Sequence, residues 1–98
     1  MRLRRVYCGR TRRGGEPVTE REFTEFLTDT VSKTLSAFTV VAANGYWQSE
    51  SEESSVIEWV DSTDEGEAEV ARIAIAYKHR FNQDAVLVTA SELEASLI

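Results

Sequence analysis

The residues best equipped for chemistry lie in one stretch, Arg10-Thr11-Arg12-Arg13-Gly14-Gly15. Guanidinium forks grip carboxylate and phosphate oxygens through paired hydrogen bonds, and glycines let backbone N–H groups come close to an anion. A helix start follows at Thr19 to Glu22, where further backbone donors point outward. Together Arg10, Arg12, Arg13, Gly14 and Gly15 read as a cradle for a small anionic ligand of the phosphate or nucleotide kind. Glu16, Glu20 and Glu22 crowd the same helix end and repel a phosphate, and no P-loop or dinucleotide fingerprint accompanies the arginines. A solvated basic strand end and a contact for an acidic protein therefore stand as alternative readings of the same residues.

Aromatic residues form a second set. Tyr7, Tyr46, Trp47, Trp59 and Tyr77 have faces that can stack nucleobases, as the sheets of RNA-binding modules do. The segment around Trp59, SVIEWVD, lacks the basic glycine-aromatic signature of those modules, and an acidic body disfavours nucleic acid. Core or dimer packing is the favoured reading. Trp47, beside the Asn44-Gly45 bend, is placed to stand at a site mouth and joins the candidate ligand-binding residues.

His79 is the sole histidine, so no triad can be assembled. A cation in a helix's last turn is its plain role, and a lone acid/base beside Glu58 or Tyr77 is the sharper one. Cys8, the sole cysteine, cannot close a disulfide within the chain and has no ligand cluster around it. It reads as a small core residue in a strand, with an activated thiolate beside Arg5 or Arg10 as the alternative. Glu50, Glu52 and Glu53 lack the aspartate-glycine spacing of a calcium loop. No catalytic residue, metal or cofactor is expected, and the balance leans away from an enzyme.

The chain that carries these residues has 98 of them, 42% hydrophobic and 29% charged. That is room for one domain, residues 1–98, with one core, and not the composition of a disordered segment. No stretch reaches the ~20 apolar residues of a membrane helix and no signal-peptide core follows the basic start. A cytoplasmic, reducing setting without membrane association is the expectation. The net charge is −6, yet Arg2, Arg4, Arg5, Arg10, Arg12 and Arg13 all precede the first acidic residue, Glu16. The rest holds five Lys/Arg against 17 Asp/Glu, a balance of −12. A basic end on an acidic body leaves the sign of the partner open, because local field outweighs total charge.

Patterning supplies the elements. Residues 3–9 read as a strand ended by Gly9. Thr19 and Glu22 form a capping box, Val18 staples onto Phe23, and Phe23, Phe26, Leu27, Thr30, Val31 and Leu35 line one face of a helix over 20–35. Residues 38–48 form a strand with a bend or bulge at Asn44-Gly45. The acidic run Ser49 to Ser54 reads as a hairpin loop, and 55–61 as the next strand, with Ile57 and Trp59 on one face and Val56, Glu58 and Val60 on the other. A second helix starts between Ser62 and Gly66, capped by Ser62 or Thr63 with Asp64, Glu65 and Glu67 at its positive end. It buries Val70, Ile73, Ala74, Tyr77 and Phe81 and stops at Asn82. Residues 85–90 form the last strand, and Ser91 to Ile98 a short helical turn or a tail. The order is β-α-β-β-α-β, an α+β fold of the ferredoxin-like kind, with a four-stranded antiparallel sheet and two helices on one face. The other face, which Tyr7, Trp59 and the alternating aliphatics make not cleanly polar, suits dimerisation across the sheet.

Several ordered motifs carry a family resemblance. Tyr7-Cys8-Gly9-Arg10 before a glycine pair, Val18-Thr19 opening a helix with Phe23 and Phe26, and Phe38-Thr39-Val40-Val41 come first. Gly45-Tyr46-Trp47 with Glu53-Ser54, and Ala76 through Gln83 leading into Val86-Leu87, follow. In this order they resemble a small uncharacterised bacterial family known only as a domain of unknown function. The chain departs from that pattern at Ser32 to Ala37, where a proline is usual, and at Gly45-Tyr46-Trp47-Gln48. The resemblance implies the fold and no reaction, and a phage or mobile-element relative fits it equally well.

Three functions follow from these residues. The preferred one is a non-enzymatic, homodimeric binding module that captures a small anionic ligand at the arginine/glycine loop. The second is a protein-interaction factor, such as a phage-type inhibitor or nucleic-acid mimic, working through Glu50 to Glu53 and Asp61 to Glu69. The third is a small dimeric ferredoxin-like enzyme, which has the least support.

Overall fold

The computed structural model describes residues 1–62 and 65–98. Four strands, β1 (Arg2–Gly9), β2 (Thr39–Trp47), β3 (Glu50–Asp61) and β4 (Leu87–Glu92), form one sheet in the order β2-β3-β1-β4. All three pairings are antiparallel. Val6 sits between Ile57 and Val88 in the register, and Arg4 beside Trp59. Since side chains alternate between faces along a strand, Arg4, Val6, Cys8, Ser55, Ile57 and Trp59 share the inner face. Leu3, Arg5, Tyr7, Val56, Glu58 and Val60 share the outer one.

Both helices contribute to a single core on the inner face. The first, α1, opens as Glu20–Phe26, widens to π geometry over Leu27–Val31, and closes with an α turn at Ser32–Thr34. Its capping box is formed as the sequence indicates: Thr19 accepts from the Glu22 backbone, and the Glu22 carboxylate accepts from the Thr19 backbone. The π stretch was not foreseen. Thr28 and Thr34 donate their hydroxyls to backbone carbonyls four residues earlier, a pattern that competes with regular α bonding. The extra residue in that turn brings Val31 onto the same buried side as Phe23 and Phe26.

The second helix, α2 (Gly66–Arg80), buries Val70, Ile73 and Tyr77, and Phe81 follows at its end. Asn82 takes a left-handed φ of 47° and stops it. Its N-cap is Glu65, with no side-chain cap bond, so Ser62 does not cap it; Thr63 and Asp64 lie outside the described residues. Gly66 rests directly on an ion pair between Arg4 and Asp61, where a Cβ would run into both side chains. Phe23, Phe26, Tyr77 and Phe81 interlock with centroids 4.8–6.4 Å apart, Tyr77 meeting Phe23 and Phe26, and Phe26 meeting Phe81, edge to face. The Tyr77 hydroxyl, buried and so pushed well above the usual phenol range, donates to the Gly9 carbonyl.

Other boundaries differ from the pattern-based reading. The acidic run is not a loop: Glu50 to Ser54 belong to β3, and the turn is Gln48-Ser49, both left-handed at φ 51° and 68°. That is the backbone of a tight two-residue hairpin turn. No bulge interrupts the register at Asn44-Gly45, which pair with Glu53 and Glu52. Past Gly9, the partner of Ser54, residues 44–53 continue as a two-stranded arm. Such an arm needs no core, because β2 and β3 satisfy one another's backbone groups, so poor packing residues do not prevent it. The last strand is Leu87–Glu92 rather than 85–90, in register with Tyr7 to Arg2, and no helical turn follows it.

Candidate functional site

The basic N-terminal segment is neutralised in three dimensions. Each of its arginines has a carboxylate partner drawn from elsewhere in the chain. Arg2 meets Glu92, Arg4 meets Asp61, Arg5 meets Glu58, Arg10 meets Glu20, Arg12 meets Glu22, and Arg13 meets Asp84. The charge asymmetry along the sequence therefore does not survive as a free positive patch. The acidic surface is thinned in the same way, with Asp61 buried against Arg4 and Glu52 accepting from the Thr11 backbone.

The loop between β1 and α1 is tied to itself. The amides of Arg12, Arg13 and Gly15 donate to Glu16, Asn82 and Arg12 carbonyls, so these donors do not face outward as a phosphate cradle would require. Gly14 and Gly15 are left-handed, at φ 100° and 98°, and serve the turn. The Arg12 guanidinium binds the Pro17 carbonyl and Glu22 and lies 5.3 Å from the Phe81 ring centre. Held by Arg12 and by the Thr19 backbone, the Glu22 carboxyl falls to a pKa of about 2. Arg13 binds Asp84 at 2.6 Å on the exposed rim.

Arg10 is different, because it reaches into a cavity. Its Nε and Nη2 donate to the Val18 carbonyl at 3.2 and 3.0 Å, and its Nη1 to the Ser55 hydroxyl at 2.9 Å. The guanidinium stacks 4.7 Å from the centre of Phe23. Nη2 also meets Glu20 at 2.9 Å; the arginine side chain is 11% exposed and the glutamate 87%. These groups close one end of a cleft of ≈ 500 Å³ between α1 and the inner side of β2, whose walls include Thr24, Leu27, Ala42 and Asn44. The cleft exists because the helices leave β2 largely uncovered; Val40 remains 38% exposed on its inner side.

Of the residues the sequence nominated, Arg10 lines this cleft, while Arg12, Arg13, Gly14, Gly15 and Trp47 do not. Trp47 pairs with Glu50 beside the hairpin turn and is 73% exposed. Trp59 and Tyr77 belong to the core, Tyr46 to the arm. Cys8 is fully buried, and burial pushes its thiol up to a pKa of about 12 despite Arg10 nearby; it is no activated thiolate. His79 is exposed near the end of α2, Glu58 pairs with Arg5 on the outer face, and Tyr77 is engaged with Gly9, so these three make no acid/base pair. Ser55 and Glu20 are cleft residues that the motif reading missed. Ser55 had a signal: it alternates with Ile57 and Trp59 on the core face, where a small polar residue needs a partner.

A second cavity of ≈ 530 Å³ lies at the opposite end of the sheet on its outer side, bounded by Leu3, Thr39, Glu58, Val60 and the segment Ala95 to Leu97. Among the described residues no three His, Cys, Asp or Glu side chains are grouped to hold a metal, and no helix is long and apolar enough to cross a membrane.

These features define a small α+β domain with an open cleft beside an edge strand. The chain belongs to a family of proteins of unknown function, DUF3574, whose model matches residues 4–97. No curated protein matches it. Among solved structures it is similar to a phage SAM lyase in its apo state, with a TM-score of 0.72, 19% identity, and coverage of 92% of this chain and 78% of that one. At that identity the likeness is one of fold.

Proposed function

We propose that this domain is a non-enzymatic binding module for a small anionic ligand, held in the cleft between α1 and β2 with Arg10 as its anion contact. The observation that carries the reading is the pairing of a nearly buried guanidinium with an almost fully exposed carboxylate, Glu20, at a cavity mouth. A ligand carboxylate or phosphate can take Glu20's place on Nη2, while Val18, Ser55 and Phe23 keep the guanidinium aimed. Such pre-set geometry spares the ligand the cost of ordering its receptor. Thr24 and Asn44 add polar groups along the walls, and Glu53 stands there as a second carboxylate that a ligand must avoid or bridge with a cationic group. The ligand class is thus the anionic one that the arginine/glycine stretch suggests, with the contact moved from the loop to Arg10.

The ferredoxin-like assignment belongs to the same proposal. Counted from the other edge the strand order is β4-β1-β3-β2. Each helix joins strands separated by one intervening strand, the split β-α-β arrangement. The structural neighbour's name makes SAM a ligand worth testing, since its methionyl end carries a carboxylate.

The test is a thermal-shift panel of inorganic phosphate, AMP, succinate and SAM on the full chain. At least one should raise the melting temperature. Glu20→Gln, which frees Nη2, should enlarge that shift, and Arg10→Lys should remove most of it. Arg13→Ala should leave it intact, and its loss there would return the site to the loop. Absence of any shift in both the wild type and Glu20→Gln refutes the proposal.

A further inference from the structure

We propose that the cleft between α1 and β2 takes a zwitterion with an α-amino acid head, its carboxylate on Arg10 and its ammonium on Glu53. This ligand class rests on the Arg10 anion contact proposed for the cleft and narrows the anion to a carboxylate. The Arg10 amide donates to the Glu53 carbonyl at 2.9 Å, so the β1–β3 pairing that reaches Gly9 and Ser54 runs one position further. Glu53 in turn pairs with Asn44 of β2. Arg10, Glu53 and Asn44 thus form one row across the inner face of the sheet, and all three line the cleft. Side chains directly opposite one another on neighbouring strands start about 5 Å apart.

Glu53 is nonetheless not the ion-pair partner of Arg10. The guanidinium turns instead to Val18, Ser55 and Glu20. Among the described residues no cation pairs with the Glu53 carboxylate. The cleft therefore sets one guanidinium against two carboxylates. A monoanion that displaces Glu20 satisfies Nη2 but brings its own charge beside Glu53, and like charges repel most where protein walls shut out water. Phosphate, with more charge, is opposed more strongly.

An ammonium on the ligand reverses the sign of that contact. The bound carboxylate and ammonium are then matched by the Arg10 guanidinium and the Glu53 carboxylate, charge for charge, through charge-assisted hydrogen bonds. In an α-amino acid the two groups sit on one carbon, which suits protein charges issuing from adjacent strands. The side-chain carbonyl of Asn44, next along the row, can accept another ammonium proton. Leu27 and Val40 line the rest of the cleft and favour an aliphatic side chain over a polar one.

Calorimetric titration of the full chain at neutral pH tests this with L-leucine, 4-methylpentanoate (leucine without its ammonium) and 3-methylbutylamine (leucine without its carboxylate). L-leucine should bind about tenfold more tightly than 4-methylpentanoate, the effect of one charge-assisted contact. The amine, which cannot displace Glu20, should not bind. Glu53→Gln, at an exposed position, should keep the far-UV circular dichroism and bring L-leucine and 4-methylpentanoate within about twofold of each other. Equal affinity for these two in the wild type overturns the zwitterion and leaves the anion contact at Arg10 standing. So does an inert L-leucine where phosphate or succinate raises the melting temperature. If L-leucine, 4-methylpentanoate and every member of the anion panel fail to bind, both proposals fall. A preference for L-leucine that survives Glu53→Gln overturns the assignment of the ammonium to Glu53.

Discussion

Asp61→Ala tests whether the ion pair beneath α2 holds the structure together. Arg4 and Asp61 have side chains only 5% and 9% exposed, and Gly66 of α2 presses on both. Removing the carboxylate leaves a guanidinium sealed between sheet and helix with its charge unmatched. Stranding one member of a buried pair costs about 3–5 kcal/mol, a large share of the roughly 5–15 kcal/mol that a domain of this size possesses. With a urea m value of about 1.5 kcal/mol per molar, the unfolding midpoint should fall by about 2–3 M at unchanged slope. Replacing both partners, Arg4→Met with Asp61→Leu, removes the stranded charge along with the pair and should recover most of that loss. Equilibrium urea unfolding followed by circular dichroism measures all three proteins. A loss below ~1 kcal/mol in Asp61→Ala, the size expected of an exposed pair, refutes the reasoning. A double variant as weak as the single one refutes it equally.

Two further perturbations test the site and core chemistry. The Glu22 carboxyl is held down to about 2 from a reference value of 4.5, so its contribution is present above pH 4.5 and is lost as pH falls toward 2. Melting curves of Glu22→Gln, which keeps a capping-box side chain, should therefore converge on the wild type across that window, and a constant gap would contradict the linkage. The buried Cys8 thiol, raised to about 12, should resist a thiol reagent at pH 8 in the native protein and react at once in guanidinium; rapid native labelling would place it outside the core.

What could be read from the residues was whatever local physics determines. Thr19 and Glu22 announce their own cap. Val70, Ile73 and Tyr77 announce the buried side of α2, because period and burial are linked within one element. Alternation in β3 separates Ile57 and Trp59 from Val56, Glu58 and Val60 but does not say which face the helices cover, and Trp59, expected on the open face, lies in the core. The hairpin turn escaped, since Gln48-Ser49 carries neither glycine nor the usual asparagine, and the acidic residues after it mimic a solvated loop. The charge pattern misled for a more general reason. Ion pairing joins residues far apart in sequence, and nothing near Arg13 or Arg4 reveals that Asp84 or Asp61 will meet it. The cleft was half legible: Arg10 stood out by type and Ser55 by its place in the β3 alternation, whereas Glu20 acquires meaning only when α1 brings it to the Arg10 guanidinium.

The π stretch of α1 gives this helix an unusual freedom of length. Elsewhere in an α-helix, deleting one residue turns everything beyond it by about 100°, which would swing Leu35 and the approach to β2 away from the core. Within Leu27–Val31 a deletion instead converts the wide turn to a regular one. Phe23 and Phe26 before it, Val31 at its end and Leu35 after it then keep their common side. A relative one residue shorter at this point can keep the same sheet, the same cleft and the same outer face, so α1 is the place where the chain can change length without changing its architecture.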